Sequence, residues 1–429
     1  MRALLVTLIV CGCACLEDPR PRVPTDAGTG ADADAGIDAG ACGARASPDA
    51  GGAWPPAGLD IASVRTVDLD LDGIDELVVG VSAPDAGYYV LHGEATTLPT
   101  RWSGFLPLVG TQPSQLAIAD FSGDGCPDLL AVGTGLDGAG MPALETEVFL
   151  GFTGTGNLQF DVPAPRRFEH FSQSGPTWGF HNGLAVGHFD PGPSLDVVRL
   201  RSYYAEVIRF DWNAFDSSFA FTELPGPGEP WGANSLWNVA GAATAVPSRD
   251  GGVDSILAMS QRGLARYRGT DLLMSESLAS PEPLNFPPPQ TFVDFDGDGF
   301  PEGVAVSSTD VCSTTVLRVE PRREASCVPR FLALNERDSL IAEELDTGGV
   351  DIVRALVTDA DLYLHHNAVE QGDGGLGGSL RAGVSLSLPT PHRLAVMHAR
   401  GFGPRIVVVG GDGTLACRRV SGGTLQPCP

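Results

Sequence analysis

Asp294-Phe295-Asp296-Gly297-Asp298-Gly299-Phe300-Pro301-Glu302 is an acidic, glycine-bearing turn set between strand-forming residues. It recurs. Asp68-Leu69-Asp70-Leu71-Asp72-Gly73-Ile74-Asp75-Glu76 and Asp120-Phe121-Ser122-Gly123-Asp124-Gly125-Cys126-Pro127-Asp128 carry the same pattern. Oxygen-bearing side chains fall at positions 1, 3, 5 and 9, with glycine at position 6. A tight turn converges alternate side chains on one point, and several hard oxygens there suit Ca²⁺. Glycine permits the sharp bend, and the carbonyl at position 7 can add a ligand. The expected ligand sets are Asp68, Asp70, Asp72 and Glu76, then Asp120, Ser122, Asp124 and Asp128, then Asp294, Asp296, Asp298 and Glu302.

These turns are not EF-hands, which need a glutamate at position 12 and flanking helices. Position 12 is Val79, Ala131 and Ala305. The flanks, such as Val64-Arg65-Thr66-Val67 and Leu77-Val78-Val79-Gly80-Val81, are β-branched or alternating, and predict strand, loop, strand. Four weaker copies fill the gaps, entering their second strands at Asp196-Val197-Val198, Asp254-Ser255-Ile256, Asp351-Ile352-Val353 and Ile406-Val407-Val408. A third strand usually follows, as at Tyr88-Tyr89-Val90-Leu91 and Glu147-Val148-Phe149-Leu150. A period near ~50 residues with about four strands per unit is a propeller signature.

The three intact loops resemble FG-GAP/VCBS repeats, the units of integrin α-chain heads and of many bacterial surface proteins. The resemblance implies an all-β fold, a seven-bladed β-propeller with Ca²⁺ between two strands of a blade, and a role in recognition. It is carried by three strong repeats and four weak ones. Where Gly192, Ser194 or Gly348 replace acids, no metal site is expected.

Composition agrees with an exported binding protein. The 429 residues carry 53 acids against 27 bases, a net charge of −26, and lack lysine altogether. Nucleic acid is therefore an unsuitable partner, since phosphate binding wants a basic face. The missing lysine excludes a P-loop lysine, a Schiff base and a Ser-Lys dyad. Arg2 and the apolar run from Ala3 to Val10 read as a short export signal over 1–12. Val10-Cys11-Gly12-Cys13 resembles a bacterial lipobox, with Cys13 the expected lipidation site and Cys15 the alternative. Residues 13–58, rich in Asp-Ala-Gly units, cannot bury enough apolar surface to offset chain entropy and read as a flexible tether. The propeller would then occupy 59–429. Localisation follows: a monomer on a bacterial surface or facing the periplasm, touching the membrane through lipid alone.

Exported cysteines suggest disulfides. Cys312 with Cys327, and Cys417 with Cys428, are near enough in sequence to staple adjacent strands, leaving Cys42 with Cys126. Two aromatic stretches, containing Trp178 and His181, and Trp231 and Trp237, suit sugar or protein surfaces. They are also suited to packing between blades. The leading expectation is a calcium-binding surface lipoprotein whose propeller binds a protein or glycan. Two alternatives stand beside it. One is a lyase-like polysaccharide-degrading enzyme, for which Tyr203, Arg201 and residues around His181 would supply base and charge stabiliser. The other is a structural envelope protein.

Overall fold

The computed structural model describes residues 52–83, 85–108, 111–136, 142–152, 166–171, 184–192, 194–200, 205–209, 220–223, 242–248, 251–259, 263–269, 271–277, 290–294, 301–306, 314–318, 323–328, 339–346, 349–355, 361–370, 376–389 and 392–428. The export signal, Cys13, Cys42 and most of the expected tether lie outside them. So do Cys312, Trp178, His181, Tyr203, Arg201, Trp231 and Trp237.

Among the described residues every regular element is a strand. The strands form seven four-stranded antiparallel sheets, each running in sequence order from first to fourth strand. Sheet I spans 60–107, sheet II 111–171, sheet III 184–223, sheet IV 243–277, sheet V 290–328, sheet VI 339–385 and sheet VII 393–427. The first strand of each sheet contacts the first strands of its neighbours, and that of sheet VII contacts that of sheet I. No helix among the described residues is long and apolar enough to cross a membrane.

The second strands explain why the sheets stack. Where their side chains are described, the second strands are buried on both faces over most of their length, and apolar residues dominate them. In sheet I, Leu77, Val79 and Val81 pack with Ala395, Met397, Val407 and Val409 of sheet VII. Val78, between them, faces the other way and packs with Leu129, Ala131, Val148 and Leu150 of sheet II. Leu130 and Val132 then meet Val197 and Ile208 of sheet III. Val198 and Val207 join Ile256 and Tyr267 of sheet IV, and Val353 and Leu364 join Ile406 and Val408 of sheet VII. The cores lie between sheets, not within one.

The junction of sheets VII and I joins the two ends of the described chain. Thr66 Oγ1 donates to the Val396 carbonyl at 2.6 Å, and Arg400 N to the Gly73 carbonyl at 2.8 Å. Trp54 is buried there. Its indole N–H donates to the Gly413 carbonyl at 2.8 Å, and its ring meets Tyr89 edge-on at 5.5 Å. Cys417 and Cys428 form a disulfide between the third strand of sheet VII and the end of its fourth. Cys126 is also disulfide-bonded.

His398 fastens this junction across three sheets. Its Nδ1 lies 3.1 Å from Asp75 Oδ2 of sheet I, and its Nε2 lies 2.5 Å from Glu343 Oε1 of sheet VI. The hydrogen bonds to Asp75 and Glu343 push its pKa up to about 9, above the ordinary value of 6.5, against the opposing effect of burial. A group whose folded pKa is raised contributes stability that is complete below the unfolded value and lost as pH rises through the folded one. Global stability is therefore expected to fall between about pH 6.5 and pH 9. Chemical denaturation of wild type and His398→Gln across that window checks this: the variant should lose the slope.

Candidate metal centre

Register defines the loops. In sheets I to V the last residue of the first strand pairs with the first residue of the second: Val67 with Glu76, Ala119 with Asp128, Gly187 with Asp196, Val246 with Ser255, and Val293 with Glu302. In sheets VI and VII the corresponding pairs, Glu343 with Asp351 and Met397 with Arg405, enclose one residue fewer. The degenerate turns at Asp196 and Ser255 therefore span the same length as the acidic ones. Loops I and II also share a backbone shape. Position 6 is left-handed in both, with φ of 87° at Gly73 and at Gly125. Position 4 is left-handed too, with φ of 75° at Gly123 and 58° at Leu71.

Loop I draws its acids together. The ligand oxygens of Asp68, Asp70 and Asp72 lie within 4.8 Å of one another. The loop backbone holds them there: Gly73 N donates to Asp68 Oδ2 at 2.9 Å, Asp72 N to Asp70 Oδ1 at 3.2 Å, and Ile74 N to Asp72 Oδ1 at 2.8 Å. Asp68 Oδ1 is shielded from solvent and accepts no hydrogen bond. Burial pushes the Asp68 carboxyl up to about 6, opposed by the Gly73 N–H and aided by the charges of Asp70, Asp72 and Asp75. Crowded carboxylates repel one another, and a divalent cation relieves that repulsion. This donor set fits a hard, oxygen-seeking ion.

Glu76, the fourth expected ligand, is turned to two tasks. Its Oε2 accepts from Leu69 N at 2.8 Å, closing the loop on itself. Its Oε1 lies 3.2 Å from His92 Nδ1. Burial pushes Glu76 up to about 7, offset in part by His92. The first task recurs: Asp128 Oδ2 accepts from Ser122 N at 2.7 Å, and Asp196 Oδ2 from Phe189 N and Asp190 N at 3.1 Å each. All three acids are fully buried or nearly so. The acid at position 9 thus pins the loop backbone, with or without further acids in the turn.

Loop II spends its acids differently. Both oxygens of Asp120 are turned onto the turn's backbone, with Gly123 N, Asp124 N and Gly125 N at 2.7, 3.1 and 2.8 Å. Asp124 Oδ1 accepts from Cys126 N at 2.8 Å. Asp120, Asp124 and Asp128 therefore do not meet as a three-acid cluster in this structure, whereas the loop I acids do. Of the third loop, Asp296 and Asp298 lie outside the described residues, as does the side chain of Glu302.

Two contacts between sheets were not read from the sequence. His398 and His188 occupy position 1 of their loops, where loops I and II carry aspartate. Each donates its backbone N–H to the position-8 aspartate of the next sheet: His398 to Asp75 Oδ2 at 2.7 Å and His188 to Asp254 Oδ2 at 2.8 Å. Each aspartate N–H returns a bond to the histidine carbonyl, at 2.9 and 2.8 Å. The signal was present in the spacing, because among the five eight-residue turns the acids at position 8, Asp75 and Asp254, follow the sheets with histidine at position 1. It becomes visible once the register is known.

No protein-family model matches the sequence. No curated protein matches it either. Among solved structures, the chain is similar to BBS1N in its complex with ARL6DN. The mercury-soaked crystal gives a TM-score of 0.50 at 12% identity, covering 89% of this chain and 97% of that one. The lead-soaked crystal gives 0.50 at 12%, covering 88% and 96%. The likeness is one of fold. An Agrocybe aegerita lectin specific for non-reducing terminal N-acetylglucosamine matches at a TM-score of 0.44 and 13% identity, covering 77% and 81%. The chain is thus an all-β, propeller-like protein built of small antiparallel sheets.

Leu71 supplies a test of the loop geometry. A left-handed conformation costs a side-chain-bearing residue about 1–2 kcal/mol, and loop II has glycine at that position. Leu71→Gly is expected to stabilise the metal-free protein by up to ~1 kcal/mol, less whatever the half-buried leucine contributes by packing. Urea denaturation of the two proteins in chelator checks it. A clear loss of stability would show that packing outweighs the backbone strain.

Proposed function

We propose that this chain is a calcium-binding, seven-bladed β-propeller of FG-GAP/VCBS type that binds a protein or glycan at a bacterial cell surface. The seven sheets would be the blades, closed into a ring by the contact between sheets VII and I. Lipid on Cys13 and the tether over 13–58 would hold the propeller over 59–429 clear of the membrane. The observation that carries the calcium reading is the convergence of Asp68, Asp70 and Asp72 on one point in loop I. Loop II has the same backbone turn, and cation entry there would require Asp120 to exchange backbone N–H donors for the ion. Loop III shares the sequence pattern through Asp294, Asp296, Asp298 and Glu302.

The binding role rests on scaffold logic. A rigid ring of sheets displays the segments between its strands, and such segments carry recognition in many folds. Trp178 and His181 lie between sheets II and III, and Trp231 and Trp237 between sheets III and IV, in segments rich in the residue types that bind sugars and proteins.

Calorimetric titration of the purified, metal-stripped protein with CaCl₂ is expected to show uptake in the range of ~10⁻⁴–10⁻³ M, typical of extracellular modules. Asp72→Asn should weaken the loop I component, and Asp124→Asn a separate one. An absence of heat and of any thermal shift with calcium would end the calcium reading. A glycan and polysaccharide array, scored for retention and for cleavage products, tests the ligand. Retention without cleavage, weakened by alanine at Trp178 or Trp231, is the expected result. Cleavage would turn the reading to an enzyme.

A further inference from the structure

His92 lies beside loop I but comes from outside it. It follows the third strand of sheet I, Gly87–Leu91, one step beyond the Leu77–Leu91 pair, and so stands opposite Glu76. Gly93 lets the chain press against the loop there: a Cβ at Gly93 would sit 1.9 Å from the Asp75 carbonyl oxygen. The ligand atoms of Asp70, Glu76 and His92 lie within 4.8 Å of one another. Glu76 is wholly buried and Asp70 nearly so. Glu76 Oε1 and His92 Nδ1 face each other at 3.2 Å and are both shielded from water.

Sheet VI holds the equivalent pair as an internal control. His366 is the third-strand residue opposite Asp351, as His92 is opposite Glu76. There the two side chains make an ordinary hydrogen bond, 2.8 Å from Nδ1 to Oδ1. Asp346, at position 3 of that loop, is directed instead to Gly422 N of sheet VII at 3.1 Å. Among the described residues no third metal-ligating side chain is grouped with the sheet VI pair, which is the closer of the two, whereas Asp70 joins the sheet I pair. Two buried carboxylates with one imidazole leave negative charge that a cation neutralises. An imidazole nitrogen is a poor ligand for calcium but a good one for zinc and its neighbours. Donors around tetrahedral zinc stand roughly 3.3 Å apart, given bonds of ~2.0–2.2 Å, and the Glu76–His92 separation matches this.

We propose that Asp70, Glu76 and His92 form a mixed nitrogen–oxygen site for a borderline divalent metal of the zinc class, set at the inner end of loop I. It deepens the calcium reading, because Asp70 serves both sets of donors, but it does not require calcium to bind. Asp68 and Asp72 face the outer, all-oxygen end. His92 and Glu76 define the inner end.

The test is calorimetric and atomic-absorption titration of the full chain with ZnCl₂, with and without saturating CaCl₂. Wild type, His92→Gln, His366→Gln and Asp72→Asn are compared. The wild type is expected to take up zinc at a site that His92→Gln weakens ~tenfold or more. His366→Gln should leave that uptake in place, and Asp72→Asn reports on the calcium component. Calcium heats should survive His92→Gln. If His92→Gln unfolds, the zinc-induced rise in melting temperature of wild type and of His92→Asn, with His366→Gln as the control, still decides the matter. Equal zinc uptake by wild type and His92→Gln, or no uptake by wild type, overturns the proposal. Either result leaves the calcium titration to stand or fall separately.

Discussion

Burial of the second strands on both faces is the constraint from which the rest of the fold follows. A strand such as Leu77-Val78-Val79 has no solvent side, so its sheet needs a neighbour on each face. That requirement passes from sheet to sheet, and an open row would leave two apolar faces in water. Contact between sheets VII and I removes both at once. The loops are then fixed at one end of a packed strand, which is why an acidic turn of eight residues can hold its carboxylates at defined distances. The convergence of the loop I acids is in this sense a by-product of stacking: the buried second strand anchors position 9, and position 9 anchors the turn.

Much of the fold was legible because two periodicities coincide. Apolar runs with β-branched residues marked the second strands, and the Asp-x-Asp-x-Asp-Gly turn marked where each began. The weak repeats at Asp196 and Asp351 were found from that same acid near the strand's entry; the register at Asp196 matches that of the intact ones, and the turn before Asp351 is one residue shorter. The site was legible in part. Sequence named Asp68, Asp70, Asp72 and Glu76 from their spacing, and the acids at 68, 70 and 72 do converge. Loop II satisfied the same spacing, yet its Asp120 serves backbone N–H groups. One pattern of residues is compatible with both outcomes, because the same tight turn presents backbone donors and an ion-sized gap to the same carboxylate. His92 could not be found from the loop motif at all. It arrives by strand pairing, and only the register of the second and third strands brings it opposite Glu76.

The acid at position 9 carries an inference about how such repeats decay. In sheet III the turn lacks acids at positions 1 and 5 but has Asp196, whose carboxylate receives two backbone N–H groups. A buried carboxylate that closes a loop is costly to remove, since its donors would be stranded. Acids that serve only an ion are free to drift once the ion is dispensable. Where position 1 is histidine, an aspartate in the adjoining sheet, Asp75 or Asp254, accepts its backbone N–H, so that position makes a bond between sheets.

The core shared by sheets VII and I has a temporal side. Val79 and Val407 share one core across a sequence separation that takes in nearly every other sheet. Contacts so distant along the chain form slowly, because the loop they close is long and its entropy is lost before the contact returns anything. Sheet I leaves the ribosome early and waits with Leu77 and Val79 uncovered until sheet VII exists. For that interval the nascent protein presents a sticky flank, and any chaperone that accompanies it has an obvious place to hold.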